Sequence, residues 1–263
     1  RLGLASGSGL SEALRSTFTN PLISKGSVCL VVAAIGIGNA AYEAGNISGA
    51  ALGLQSITHL STSVCALILG ATSAILLGTS GYKILEPVLI ILVLIMSIVF
   101  VVTMIIIDVN FGSVLKGLVV PSIPKGSMLT VIALIGTTVV PYNLFLHSSL
   151  VSEKWNSINK LKVARFESFF SILIGGLVSL SIIITAASVN NKDVNGVIDL
   201  AKGLEPLYGN FAIYFLGIGL FASGITSSIT APLAAAYVAK SCFGWEDSLK
   251  SGKFRAIWII ILI

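Results

Sequence analysis

Asn39, Glu43 and Asn46 stand four and three residues apart in a stretch of 57 residues, 26–82, that contains no other charge. On a helix the three share one face. If that helix lies in lipid, a carboxyl at such depth costs at least ~2.5 kcal/mol and marks an ion or proton path, or else is a protonated acid tied to its amides for structure alone. A second group is Gly136-Thr137-Thr138-Val139-Val140-Pro141-Tyr142-Asn143. Pro141 has no N–H for the carbonyl of Thr137, it pushes Val140 away from helical geometry, and the β-branched residues before it disfavour a helix further. These features allow a short unwound segment, while the commoner outcome of such a proline is a plain kink. Discontinuous helices of this kind form ion and substrate sites in secondary transporters. Six residues past Pro141, His147 can relay protons or sit satisfied at an interface. Ser223, Thr226, Ser227 and Thr230 recur at helical spacing before Pro232, a hydroxyl stripe that either lines a pathway or bonds back to its own helix.

The elements that carry these groups must be membrane helices. Of the 263 residues 10% are charged and 55% are hydrophobic, against about a quarter charged in soluble domains. Such a composition excludes a soluble enzyme. Nucleic-acid binding is excluded too: the net charge is +5, but the basic residues are confined to short loops between apolar runs. Cys29, Cys65 and Cys242 stand far apart without ligand spacing, so neither a disulfide framework nor a zinc site is implied. A hydrocarbon core of about 30 Å takes roughly 20 apolar residues of helix. Charge-free stretches then predict one transmembrane domain over 1–263, all-α, with six complete spans at about 27–54, 60–80, 87–108, 126–152, 168–190 and 208–239, and the start of a seventh at 255–263. The third is nearly pure Leu, Ile and Val and reads as scaffold. Gly45 and Gly49, with small-xxx-small spacing, suggest close packing of the first span.

Lys and Arg near helix ends are retained on the cytoplasmic side. Alternate loops (1–25, 81–86, 153–167 and 240–255) hold 12 of the 16 basic residues, leaving Lys116, Lys125, Lys192 and Lys202 opposite. The Arg1 loop is therefore expected to be cytoplasmic, in a plasma (inner) membrane. The chain begins at Arg1 and ends within an apolar run, which reads as an internal piece of a larger membrane protein.

Val140-Pro141-Tyr142-Asn143-Leu144-Phe145-Leu146-His147-Ser148 resembles the Met-Pro-His-Asn-x-x-Leu-His-Ser signature in the sixth helix of the NRAMP (natural resistance-associated macrophage protein) divalent-metal transporters. Other segments resemble that family in the same order. Arg1-Leu2-Gly3-Leu4 with Gly9-Leu10 is similar to the end of its second helix, and 43–52 to its third. Gly81-Tyr82-Lys83 with Leu85-Glu86 is similar to the fourth-to-fifth loop, and Ala222 through Thr230 to the eighth helix. The resemblance implies a leucine-transporter-like inverted-repeat fold, of which this piece covers the third to eighth helices and the start of the ninth. The family's first helix, whose Asp-Pro-Gly-Asn segment supplies the main metal carboxylate, is not in this sequence. The resemblance also places the Thr137 carbonyl where the family offers a backbone oxygen to the metal.

Departures from the signature are chemical. Val140 replaces the family's metal-binding methionine, a thioether that selects Mn²⁺, Fe²⁺ or Cd²⁺ over Mg²⁺ and Ca²⁺. Valine offers no ligand atom. The Thr137 carbonyl, hydroxyls of Thr137 and Thr138, the Asn143 amide and retained water suit a hard, partly hydrated ion such as Mg²⁺. The pattern resembles the NRAMP-related magnesium-transporter branch. Tyr142 replaces the signature histidine and Ala40 the acidic partner of Glu43, which removes two protonatable groups. The metal positions are thus Thr137, Thr138, Val140 and Asn143 about the helix break at Pro141; the ion or proton path is Glu43, Asn39, Asn46, Tyr142, His147, Ser223 and Ser227. The expected activity is alternating-access transport of Mg²⁺ or Mn²⁺ through the lipid bilayer, with no resident cofactor and no protein or nucleic-acid partner. Competing readings are a proton-coupled Mn²⁺/Fe²⁺ transporter, a sodium-coupled organic-solute symporter, a non-transporting metal sensor, and a metalloenzyme using Glu43, His59 and His147. The last lacks any HExxH-type ligand pair.

Overall fold

The computed structural model describes residues 4, 10–79, 82–107, 109–155, 158–188, 196–245 and 251–263. The motif residues Arg1 to Gly3, Gly9 and Gly81, and Lys192 of the fifth connection, lie outside the described residues. Among those described, the regular structure is all helical, as the sequence led us to expect. The helices are α1 (Leu10–Thr17), α2 (Pro21–Thr58), α3 (Thr62–Thr79), α4 (Tyr82–Ile106), α5 (Phe111–Val119), α6 (Met128–Thr138), α7 (Pro141–Trp155), α8 (Leu161–Ser188), α9 (Val197–Lys202), α10 (Glu205–Tyr208), α11 (Ala212–Phe243) and α12 (Gly252–Leu262). Among the described residues six segments are long and apolar enough to cross a membrane: Pro21–Thr58, Thr62–Thr79, Leu85–Ile106, Met128–Ser148, Ile158–Ser188 and Glu205–Phe243. With the low charge content, they make this an integral membrane protein.

Local sequence explains where the main helices start and stop. Asn20 caps α2 by accepting from the Leu22 N–H, and Pro21 fills the first helical position, where no N–H is needed. The 38 residues of α2 extend about 57 Å at 1.5 Å each, longer than a hydrocarbon core of about 30 Å. It ends at His59, left-handed with φ 60°, whose N–H bonds back to the Gln55 carbonyl. The Gln55 side chain accepts from Thr62 Oγ1 at 2.8 Å, which clips α2 to α3 across the polar turn. Outside the spans, Lys202 closes α9 on Asp199 at 2.7 Å, a hydrogen bond that raises the lysine pKa.

The core is the seam between α2 and α11. Lipid tails solvate leucine as well as another helix does, so close backbone approach and interhelical hydrogen bonds decide which helices associate. Both are present. A Cβ on Gly53 would meet the Gly217 carbonyl oxygen at 2.6 Å and the Phe221 nitrogen at 2.9 Å, and one on Gly224 would meet the Asn46 carbonyl at 2.7 Å. Ala50 and Ala222 are fully buried between them. The close packing expected at Gly45 and Gly49 is not there: a Cβ at either would find nothing within 4 Å. The contact stripe runs instead through Asn39, Glu43, Ala50 and Gly53, because Gly45 lies off that face of the helix.

Candidate metal site at the broken helix

The fourth span is two helices. α6 ends at Thr138 and α7 starts at Pro141, with Val139 at φ −102°, ψ 74° between them. The Val139 N–H still reaches the Ile135 carbonyl at 2.9 Å, and the Asn143 N–H turns back to the Val140 carbonyl at 3.1 Å. Pro141 offers the Thr137 carbonyl no donor. Its neighbour, the Gly136 carbonyl, accepts from the hydroxyl of Tyr42 on α2 at 2.8 Å. The hydroxyls of Thr137 and Thr138 both donate to the Leu134 carbonyl, at 3.0 and 2.8 Å. Both threonines and Asn143 are exposed, and Val140 is half-buried.

A cleft of about 980 Å³ opens beside the break, between α7 and α8. Thr138, Val140 and Asn143 line one end, His147 the middle, and Lys154 with Glu167 the other. The latter two form an ion pair at 2.7 Å, and His147 Nε2 lies 3.3 Å from Ser168 Oγ. Among the described residues no three His, Cys, Asp or Glu side chains gather to hold a metal. The polar groups that the cleft lining presents at the break are the Thr138 hydroxyl and the Asn143 amide, with His147 and Glu167 further along.

The remaining sequence candidates divide. Asn39 and Glu43 are buried in the α2–α11 seam at 1% exposure. Asn39 Nδ2 donates to the Ala231 carbonyl at 2.9 Å, and Asn46 Nδ2 to Glu43 Oε2 at 3.3 Å, while Glu43 Oε1 is buried with no partner among the described residues. Neither Asn39 nor Glu43 lines the cleft. Tyr142 lies in the first turn of α7 and meets Tyr42 edge-on, ring centroids 6.2 Å apart at 71°. In the hydroxyl stripe of α11, Thr226 and Thr230 bond back to the carbonyls of Ala222 and Thr226, both at 2.8 Å. Ser223 and Ser227 are half-buried on the same helix, away from the cleft, with no hydrogen bond among the described residues. Sequence reasoning missed Tyr42, Ser168 and the buried Ser73–Ser228 hydroxyl pair at 2.7 Å; nothing in spacing alone connects residues so far apart.

Asn39→Ala should lower the protein's stability by about 1 kcal/mol, between the ~0.6 typical of interhelical bonds in lipid and the larger cost of an orphaned buried carbonyl. A lower melting temperature in detergent checks this; an unchanged one contradicts it.

Comparison with known proteins meets this geometry. The model of the natural resistance-associated macrophage protein-like (Nramp) family matches residues 1–263. Over 262 residues the chain is 31% identical to a divalent metal cation transporter MntH of Nostoc, covering 90% of this chain and 56% of that protein. Against the protein of the same name from Klebsiella pneumoniae subsp. pneumoniae it is 29% identical over 247 residues, 90% of this chain and 59% of the relative. The MntH of Acidiphilium cryptum is 26% identical over 258 residues, 94% and 58% respectively. This chain thus spans little more than half the length of these relatives. With a family match running from its first residue to its last, and a helix broken at Pro141, the chain belongs to the Nramp family.

Proposed function

We propose that the protein carries divalent metal cations across the membrane, by alternating access about the break at 137–141, and that Mg²⁺, with Mn²⁺ second, is its ion. The observation that carries this reading is the broken span: two helix ends inside one apolar segment, a Thr137 carbonyl to which Pro141 offers no donor, exposed Thr137, Thr138 and Asn143, and a cleft lined by Thr138 and Asn143. Irregular backbone in a membrane is tolerated only where protein buries it or water reaches it. The transport named for the MntH relatives agrees in class. Preference for a hard ion rests on Val140, which brings a methyl surface and no ligand atom to the cleft. The bias of basic residues towards alternate loops supports a cytoplasmic Arg1 end.

A proton-coupled Mn²⁺/Fe²⁺ transporter is the second reading. What favours it is Glu43, buried with one oxygen unpartnered, the arrangement of a group that takes up or passes a proton.

Asn143→Ala in the full-length protein should cut divalent-cation uptake into proteoliposomes at least about tenfold, the loss of one charge-assisted ligand. Because Asn143 is exposed, the melting temperature should stay within a degree or two. Unchanged uptake would remove the break from the ion's path.

A further inference from the structure

Tyr42 touches both halves of the broken span. It sits on α2 next to Glu43, 94 residues before Gly136, and its hydroxyl donates to the Gly136 carbonyl at 2.8 Å. In an unbroken helix that carbonyl would accept from the Val140 N–H; at the break the chain has left the helix, and the phenol supplies the donor instead. Its ring rests edge-on against Tyr142 in the first turn of α7.

The two half-helices are anchored unequally. Tyr142 and Phe145 of α7 pack on a core of Val28, Ile35, Ala235 and Val238, so α7 is held by α2 and α11. α6 has no buried residue. Among the described residues, the bond from Tyr42 is the one hydrogen bond that joins α6 to another helix. The other end of the strut is rigid, since Asn39, one turn before Tyr42, is fixed to the Ala231 carbonyl of α11 and the glycine seam follows two turns on. Whatever sets the distance between the last turn of α6 and the first of α7 also sets the distance between the Thr137 carbonyl and the Asn143 amide.

We propose that Tyr42 is a positioning residue for ion binding: its hydroxyl holds the end of α6 at a fixed separation from α7, and so sets how closely the Thr137 carbonyl and Asn143 approach one ion. This rests on the reading of the break as the ion site. Tyr42 does not itself touch the ion. Its hydrogen is already committed to Gly136, and it is absent from the cleft lining.

The test uses the full-length protein in detergent and in proteoliposomes, with Mg²⁺ and Mn²⁺ as probes. Tyr42→Phe keeps the ring on Tyr142 and removes only the donor. Its Kd for the preferred ion by calorimetry, and its KM for uptake, should rise about fivefold, with kcat changed less than twofold. 4-Aminophenylalanine at the same position restores an N–H donor and should bring Kd back within twofold of wild type. Ser73→Ala, which removes a buried bond between α3 and α11 outside the cleft lining, is the structural control. It should lower the melting temperature and leave Kd unchanged. If Tyr42→Phe proves too unstable to purify, the amino variant and the control are read alone: a Kd more than twofold above wild type in either would overturn the proposal. Wild-type Kd in Tyr42→Phe would overturn it too. A wild-type protein that binds neither ion would instead overturn the reading of the break as the site.

Discussion

Val140→Met will raise Cd²⁺ uptake relative to Mg²⁺ uptake by at least about tenfold. Val140 lies half-buried at the break, one residue before Pro141, and lines the cleft beside Thr138 and Asn143. A methionine there places a polarisable sulfur among oxygen donors, and sulfur gains far more from Cd²⁺ than from Mg²⁺, which keeps its water and its oxygen ligands. Tenfold is about 1.4 kcal/mol of differential binding, modest for one thioether contact. The side chain is of the same length class as its neighbours in an open cleft of about 980 Å³, so no overpacking opposes it. Competition between the two ions for uptake into proteoliposomes measures the ratio. A ratio within twofold of wild type would mean that position 140 does not face the ion.

Gly53→Val should destabilise the fold severely. Its added atoms fall 2.6 Å from the Gly217 carbonyl oxygen and 2.9 Å from the Phe221 nitrogen, both backbone, which cannot turn aside as a side chain can. α2 and α11 would have to separate along the seam that also buries Asn39 and Glu43. Overpacking commonly costs about 1–3 kcal/mol where side chains can adjust, and here the cost should reach or exceed the upper end. Little folded protein should survive extraction. Gly45→Ala is the matched contrast, because nothing lies within 4 Å of its added methyl and alanine is the better helix former by about 1 kcal/mol. Its melting temperature should hold or rise. Equal damage from both would show that the seam is not what holds these helices together.

Much of this architecture was legible in the sequence because lipid makes a blunt demand: long runs without charge must become helices, and Glu43 must turn away from the tails. The break was legible for a local reason. Pro232 shows why proline alone does not make one, since α11 runs through it unbroken. Before Pro232 stands Ala231; before Pro141 stand Thr137, Thr138, Val139 and Val140, three of them stiff at χ1 beside a residue already pushed from helical geometry. What the sequence hid is pairing across space. Gly45 and Gly49 have the right spacing for a packing stripe, yet the stripe is fixed by which face meets α11, and that is settled by Gly217 and Gly224 some 160 to 180 positions later. Likewise Tyr42 is one aromatic in an apolar run until Gly136 appears beside it. The hydroxyl stripe of α11 proved half local, with Thr226 and Thr230 bonded to their own helix.

The most direct test is ion flux by the full-length protein in proteoliposomes that enclose a pH-sensitive dye, with Mg²⁺, Mn²⁺ and Cd²⁺ offered in turn. Mg²⁺ entering without acidification of the lumen is the predicted result. Entry of Mn²⁺ or Cd²⁺ together with protons, and exclusion of Mg²⁺, would contradict the reading of Val140 and assign Glu43 to proton coupling instead.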